Sequence, residues 1–168
     1  MFDTVFGLPV HVLVLHFAVV LVPLAALATI AVAVRPAWLP RFGVWVAALD
    51  AVMVVLVWAT KESGEKLLKR IYPDPSARPA AMRTHIERGD DLLWYAVALF
   101  VVAAALVVVA RLRARGQAAI RDSVPAFVVP VVAVLAVAAA VLVTVQVVRS
   151  GHAGSQVVWK PIVQSTNG

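Results

Sequence analysis

The sequence predicts an all-α fold: an integral membrane four-helix bundle with an extramembrane helical hairpin between spans two and three. Three observations predict it. Hydrophobic side chains make up 62% of the 168 residues and charged ones only 14%, against ~45–50% and ~25% in a soluble domain. Mean hydropathy is +0.93, which is more apolar surface than a globule of this size can hide from water. Four apolar runs, at about 10–34, 42–59, 92–110 and 124–148, approach or exceed the ~20 helical residues that cross ~30 Å of hydrocarbon. These counts exclude a soluble domain and a disordered chain. The absence of cysteine excludes a disulfide scaffold, thiolate chemistry, Cys-ligated zinc, iron–sulfur clusters and covalently attached haem.

The runs are rich in Val, Ala and Leu. In lipid they read as helix, because each backbone polar group must be satisfied within its own segment. They lack the alternation of a membrane barrel. The stretch before the first run, MFDTVFGLP, carries no Lys or Arg and so is no cleavable signal. Pro23 in span one and Pro130 in span four each either bend their helix or are accommodated by a neighbour. After span two, KESGEKLLKRIY continues as an amphipathic helix with Leu67, Leu68 and Ile71 on one face. Tyr72-Pro73-Asp74-Pro75 breaks it, and RPAAMRTHIERGDD leads into span three with Pro79 near its first turn. After span four, Gly151-His152-Ala153-Gly154 predicts a turn, with QVVWKP returning to the interface and Trp159 at headgroup depth. No repeat of 20–50 residues is evident, and residues 1–168 read as a single membrane domain.

Basic residues set the orientation. Arg35 and Arg41 flank the first short connection, and Arg111, Arg113, Arg115 and Arg121 lie in the second, with Asp122. By the positive-inside rule that side is cytoplasmic. Both termini and the 61–91 connection are then extracytoplasmic, in a multi-pass protein of the cell (inner) membrane. The net charge of +6 becomes a topology signal with some attraction to anionic lipid. No nucleic-acid partner is implied, since the Arg sit beside spans and no binding module accompanies them.

Four histidines, His11, His16, His85 and His152, all fall on the extracytoplasmic side of this layout. His16 lies ~10 Å and Asp50 ~15 Å below that boundary, so the two could meet near the bilayer interior. An Asp accepting from Nδ1–H would fix the tautomer and free Nε2 for a ligand; a plain structural hydrogen bond is the competing reading, and a proton-path carboxylate a third. His11 and His16 are separated by ~140° on a helix, so they do different jobs: either His16 or His11 points at the bundle, and the other sits nearer the interface. Gly89 follows His85 by one turn, where a small residue admits either a flat macrocycle or another helix. Glu62 and Glu65 close the same end of span two and add hard donors. No ExxH pair, GxSxG, HExxH or phosphate loop is present, so no hydrolase or transferase is indicated.

These residues resemble a known family. GLPVHVLVLHFAVVLVPL is similar to the opening of an uncharacterised bacterial four-span membrane domain, domain of unknown function 2231, which reads G-x-P-x-H-P-x-x-V-H-F-P. His11, His16 and Phe17 fall on that motif, and Val12 and Ala18 stand where the family has proline. His85 resembles the family's third histidine. Gly151-His152-Ala153-Gly154 with Val157, Val158 and Trp159 resembles its closing GHxG-x-x-L-V-Y segment, Trp159 replacing Tyr. The resemblance implies a histidine set and, through the redox proteins that accompany members, electron transfer.

Three functions compete. The first is a membrane haem-b-type electron-transfer protein with His16 and His85 as axial pair and Gly89 and Asp50 beside the cofactor. The second is a copper, zinc or iron site drawn from His11, His16, His85, His152 and Glu62. The third is a non-catalytic accessory subunit of a larger membrane complex, its Ala- and Val-rich faces packed on partner helices. Expected partners are the lipid bilayer and other membrane or redox proteins; a homo-oligomer is compatible with all three.

Overall fold

The computed structural model describes residues 4–114 and 125–166. A two-residue hairpin opens the chain. Strands β1 (Thr4–Val5) and β2 (Leu8–Pro9) pair antiparallel, joined by Phe6 and Gly7 at φ 52° and 78°, the positive-φ pair that such a tight turn requires. Four long helices follow: α1 (Val10–Val34), α2 (Leu39–Ile71), α3 (Ala80–Ala114) and α4 (Val128–Thr166). All four are long and apolar enough to cross a membrane, and the protein is an all-α membrane helical bundle.

Each helix packs on its chain neighbour, and α4 returns against α1, so α1 and α3 lie on a diagonal. Buried residues repeat at helical spacing. Ala18, Val22, Ala25, Ala26, Thr29, Val32 and Ala33 mark the inner stripe of α1, and Leu92, Ala96, Leu99, Ala103 and Leu106 that of α3. The many alanines let backbones approach closely, as lipid-embedded helices must when burial of apolar surface supplies no drive. On α2 a glycine brings the helices close: a Cβ on Gly43 would lie 3.0 Å from Val107 Cγ2 of α3, a tight contact. Large apolar side chains, including Phe17, Leu24, Leu27, Trp45, Val55, Trp94 and Val134, are exposed outward, as a lipid solvent permits.

Helices α2, α3 and α4 contain 33, 35 and 39 residues. At 1.5 Å per residue they reach about 50 Å or more, beyond the ~30 Å of hydrocarbon. The excess of α2 and α3 forms the expected extramembrane hairpin. It is closed at Tyr72, whose N–H bonds Leu68 O at 2.8 Å, and by Asp74, which accepts 2.8 Å bonds from the Ser76 backbone N–H and hydroxyl. Those bonds hold the Asp74 carboxyl below the usual carboxylate range. The Pro79 carbonyl then accepts from the N–H groups of Met82 and Arg83 to start α3. At the other end of the bundle, the Arg35 guanidinium stacks 4.9 Å from the Trp38 ring and that of Arg41 5.2 Å from Phe42. Arg113 Nη1 donates to Pro125 O at 2.9 Å. Arg115, Arg121 and Asp122 of the second basic connection lie outside the described residues.

Two open readings close at the prolines, and one expectation changes. Helix α1 runs unbroken through Pro23. Pro130 falls in the first turn of α4, where a missing N–H costs nothing, so it bends no span. The turn expected at Gly151-His152-Ala153-Gly154 is absent: α4 continues through it to Thr166, Pro161 included, and QVVWKP does not fold back. Two glycines cost a helix ~2 kcal/mol relative to alanine. Here packing outweighs that preference, because Ala153 is buried and Gly154 lies against the His85 ring.

Candidate functional site

The extramembrane end of the bundle holds a cavity of about 140 Å³ between all four helices. Most of its lining is apolar: Leu15, Ala18 and Val19 of α1, Val57, Leu67 and Leu68 of α2, Met82 and Ile86 of α3, Val147 of α4. Two imidazoles join it from the diagonal pair, His11 of α1 and His85 of α3.

His11 occupies the inner stripe of α1, seven residues before buried Ala18. Its Nδ1–H donates to the Thr60 carbonyl of α2 at 2.9 Å. Its ring lies on Gly64, where a Cβ would come within 2.9 Å of Cε1. His85 does the same between α3 and α4. Its Nδ1–H donates to Ser150 O at 3.2 Å, and a Cβ on Gly154 would lie 2.9 Å from its Cε1. A carbonyl can only accept, so in both rings Nδ1 carries the proton and, in the neutral imidazole, Nε2 keeps its lone pair. Neither Nε2 has a hydrogen-bond partner among the described residues.

Gly89 lines the cavity, and so does Gly151 of α4. A Cβ at either would meet nothing within 4 Å. Gly89 therefore leaves open space beside His85, and no neighbouring helix closes on it. The mouth carries Lys61, whose Nζ pairs with Glu65 Oε1 at 2.7 Å and Asp90 Oδ1 at 3.4 Å, tying α2 to α3. Beneath it Gln146 is buried and donates to Arg88 O at 3.0 Å and towards Asp91 Oδ2 at 3.5 Å.

The other candidates stand apart. His16 is exposed on the outer face of α1 beside Phe17, and its Nδ1–H turns back to Val12 O of its own helix. It meets neither Asp50 nor His85, because five residues from His11 carry it off the inner stripe. Asp50 is fully buried but bonded to Thr29, whose hydroxyl donates to Oδ2 at 2.8 Å. His152 is exposed on α4, where Gln156 Nε2–H donates to its Nε2 at 2.9 Å. Glu62 is not part of the cavity lining; Glu65 is. Among the described residues no group of three or more His, Cys, Asp or Glu could hold a metal ion.

Thr60, Lys61 and Gly64 of the lining carry no expectation from the sequence, and neither does the buried Gln146. One signal was present: Thr60 and Gly64, like Ser150 and Gly154, are a hydroxyl residue and a glycine four apart. Gln146 is also the sole amide side chain in the 124–148 run.

No curated protein and no solved structure matches the chain. A family model does, over residues 7–167, which takes in both imidazoles, both glycines beneath them and all four helices. The chain belongs to the family described as predicted membrane protein DUF2231.

Proposed function

We propose that this protein binds a b-type haem between His11 and His85 and passes electrons at the extracytoplasmic face of the bacterial inner membrane. The observation that carries the reading is the pair of imidazoles, on diagonal helices, that line one apolar cavity with no hydrogen-bond partner for either Nε2 among the described residues. The donor set fits this group better than a bare ion. Copper or zinc takes three or four protein donors in most sites, and no such cluster stands here among the described residues. A haem brings four nitrogens of its own and asks the protein for one or two axial ligands. When bound, it would supply reversible one-electron chemistry at iron. His11 and His85 would hold it, their backbone-bonded Nδ1–H groups fixing ring orientation and raising Nε2 basicity.

The volume sets a condition. About 140 Å³ matches a single aromatic ring and falls below the ~300–1,000 Å³ of drug-sized ligand pockets. Loading with a porphyrin therefore needs the partly exposed Leu67, Ile71, Met82 and Ile86 of the lining to swing outward.

The test is a visible spectrum of detergent-purified protein, produced with ample haem, before and after dithionite. A Soret band and a sharp reduced α-band are expected, lost in His11→Ala and His85→Ala and kept in His16→Ala. A colourless preparation, or a band that survives both inner substitutions, overturns the assignment. Metal found by elemental analysis without porphyrin absorbance would favour the bare-ion alternative.

A further inference from the structure

The contacts of His11 and His85 are the same device built twice. In residues 60–64, TKESG, and 150–154, SGHAG, a hydroxyl residue is followed four places later by glycine. In both, the carbonyl of the first residue accepts an imidazole Nδ1–H from the preceding helix. In both, the glycine lacks the Cβ that would strike that ring at 2.9 Å, with Nδ1 at 3.0 and 3.1 Å and Nε2 at 3.6 Å in each case. A helix carbonyl already bonded along its own axis is normally shielded by the side chain one turn on. Removing that side chain lets a further donor lie flat on the backbone and reach it.

We infer that Gly64 and Gly154 are positioning residues that fix both imidazoles as Nδ1–H tautomers, so that hairpins α1–α2 and α3–α4 each present one Nε2 lone pair to the cavity. Two lone pairs and no ring N–H facing inward define the ligand class. The site takes an electron-pair acceptor, such as a metal centre, or a group donating O–H or N–H; it rejects ligands that can only accept. This specificity rests on the reading of His11 and His85 as the ligand pair, but the seats themselves do not require haem.

Nitrogen-15 NMR of histidine-labelled, ligand-free protein in detergent tests the inference directly. The wild type is expected to show His11 and His85 as Nδ1–H tautomers with that proton protected from exchange. Gly64→Ala should abolish the signature of His11 alone and Gly154→Ala that of His85 alone. If either variant fails to fold, pairing it with removal of the clashing ring decides: His11→Ala/Gly64→Ala should regain the wild-type fold. An Nε2–H tautomer in the wild type, a His11 signal untouched by Gly64→Ala, or a double variant that stays unfolded would each overturn it. A colourless protein that nonetheless shows both tautomers would remove the haem assignment and leave the seats standing.

Discussion

Helices α1 and α2 are joined by two polar bonds of opposite character. Near the membrane surface His11 donates to a backbone carbonyl and keeps an unpartnered nitrogen beside open space. Deeper, Thr29 donates to Asp50 with both side chains fully buried. That second pair lies between two apolar clusters, one around Val22, Met53 and Leu99 and one around Val32, Leu106 and Ala136. The surface bond uses a backbone acceptor that belongs to the helix in any case, so the imidazole is free for other work. The deep bond uses both partners on each other and still leaves Asp50 Oδ1 without one among the described residues. The difference separates a site from a fastener: unpaired polarity next to space can take a ligand, and unpaired polarity sealed in hydrocarbon is a cost of holding two helices in register.

The largest effect should come from breaking the fastener. Thr29→Val leaves both Asp50 oxygens without a donor, which costs ~1–3 kcal/mol for a buried group. A lower melting temperature in detergent, with the cavity's ligand spectrum unchanged in the folded fraction, is expected. The double variant Thr29→Val/Asp50→Leu should recover most of that loss, because replacing both partners by apolar groups is close to neutral. Failure of the double variant to recover would mean that Asp50 does more than lock register.

Next in size is the reverse case, a loss of ligand with little loss of fold. His11→Ala removes one hydrogen bond to a carbonyl that keeps its helical donor, and should cost ~1 kcal/mol while abolishing the Soret band. Equal damage to stability and spectrum would place His11 with the fasteners.

Much of this was legible beforehand. Four spans, the α2–α3 hairpin and the break at Tyr72-Pro73 follow from hydropathy, amphipathic spacing and proline. His85 and Gly89, both named from the sequence, line the cavity. The sequence lets His16 reach inward to Asp50, whereas the structure turns His16 outward and sets His11 at the cavity, and the cause is angular. Depth along a helix is readable from residue count, but the face is fixed only once the inner stripe is known. On α1 that stripe is marked by Ala18, Val22 and Ala25, which a run apolar on every side does not reveal. The straight passage of α4 through two glycines was hidden for a related reason: Gly154 is helical because His85, sixty-nine residues earlier in the chain, rests on it.

Gly89→Ala and Gly151→Ala sharpen the same contrast at smaller scale. Neither added Cβ meets anything within 4 Å, and each replaces a helical glycine, so each should stabilise by ~0.5–1 kcal/mol. Both methyl groups occupy space at the cavity, so a rise in melting temperature should accompany weaker ligand uptake. Unchanged uptake would show that the ligand lies elsewhere.

The smallest expected effect belongs to His16→Leu. The side chain is exposed on the outer face of α1, and among the described residues its ring bonds only its own helix, so no interhelical hydrogen bond is lost. Exposed substitutions of this kind fall within about ±0.5 kcal/mol, and leucine suits a lipid-facing position. Stability, tautomers of the inner pair and ligand spectrum should all match the wild type. The variant is informative because depth along span one alone offers His16 as an inward ligand. A bleached spectrum would mean that α1 turns to bring His16 inward when loaded, and the division between an open surface site and a sealed interior would then fail at its first residue.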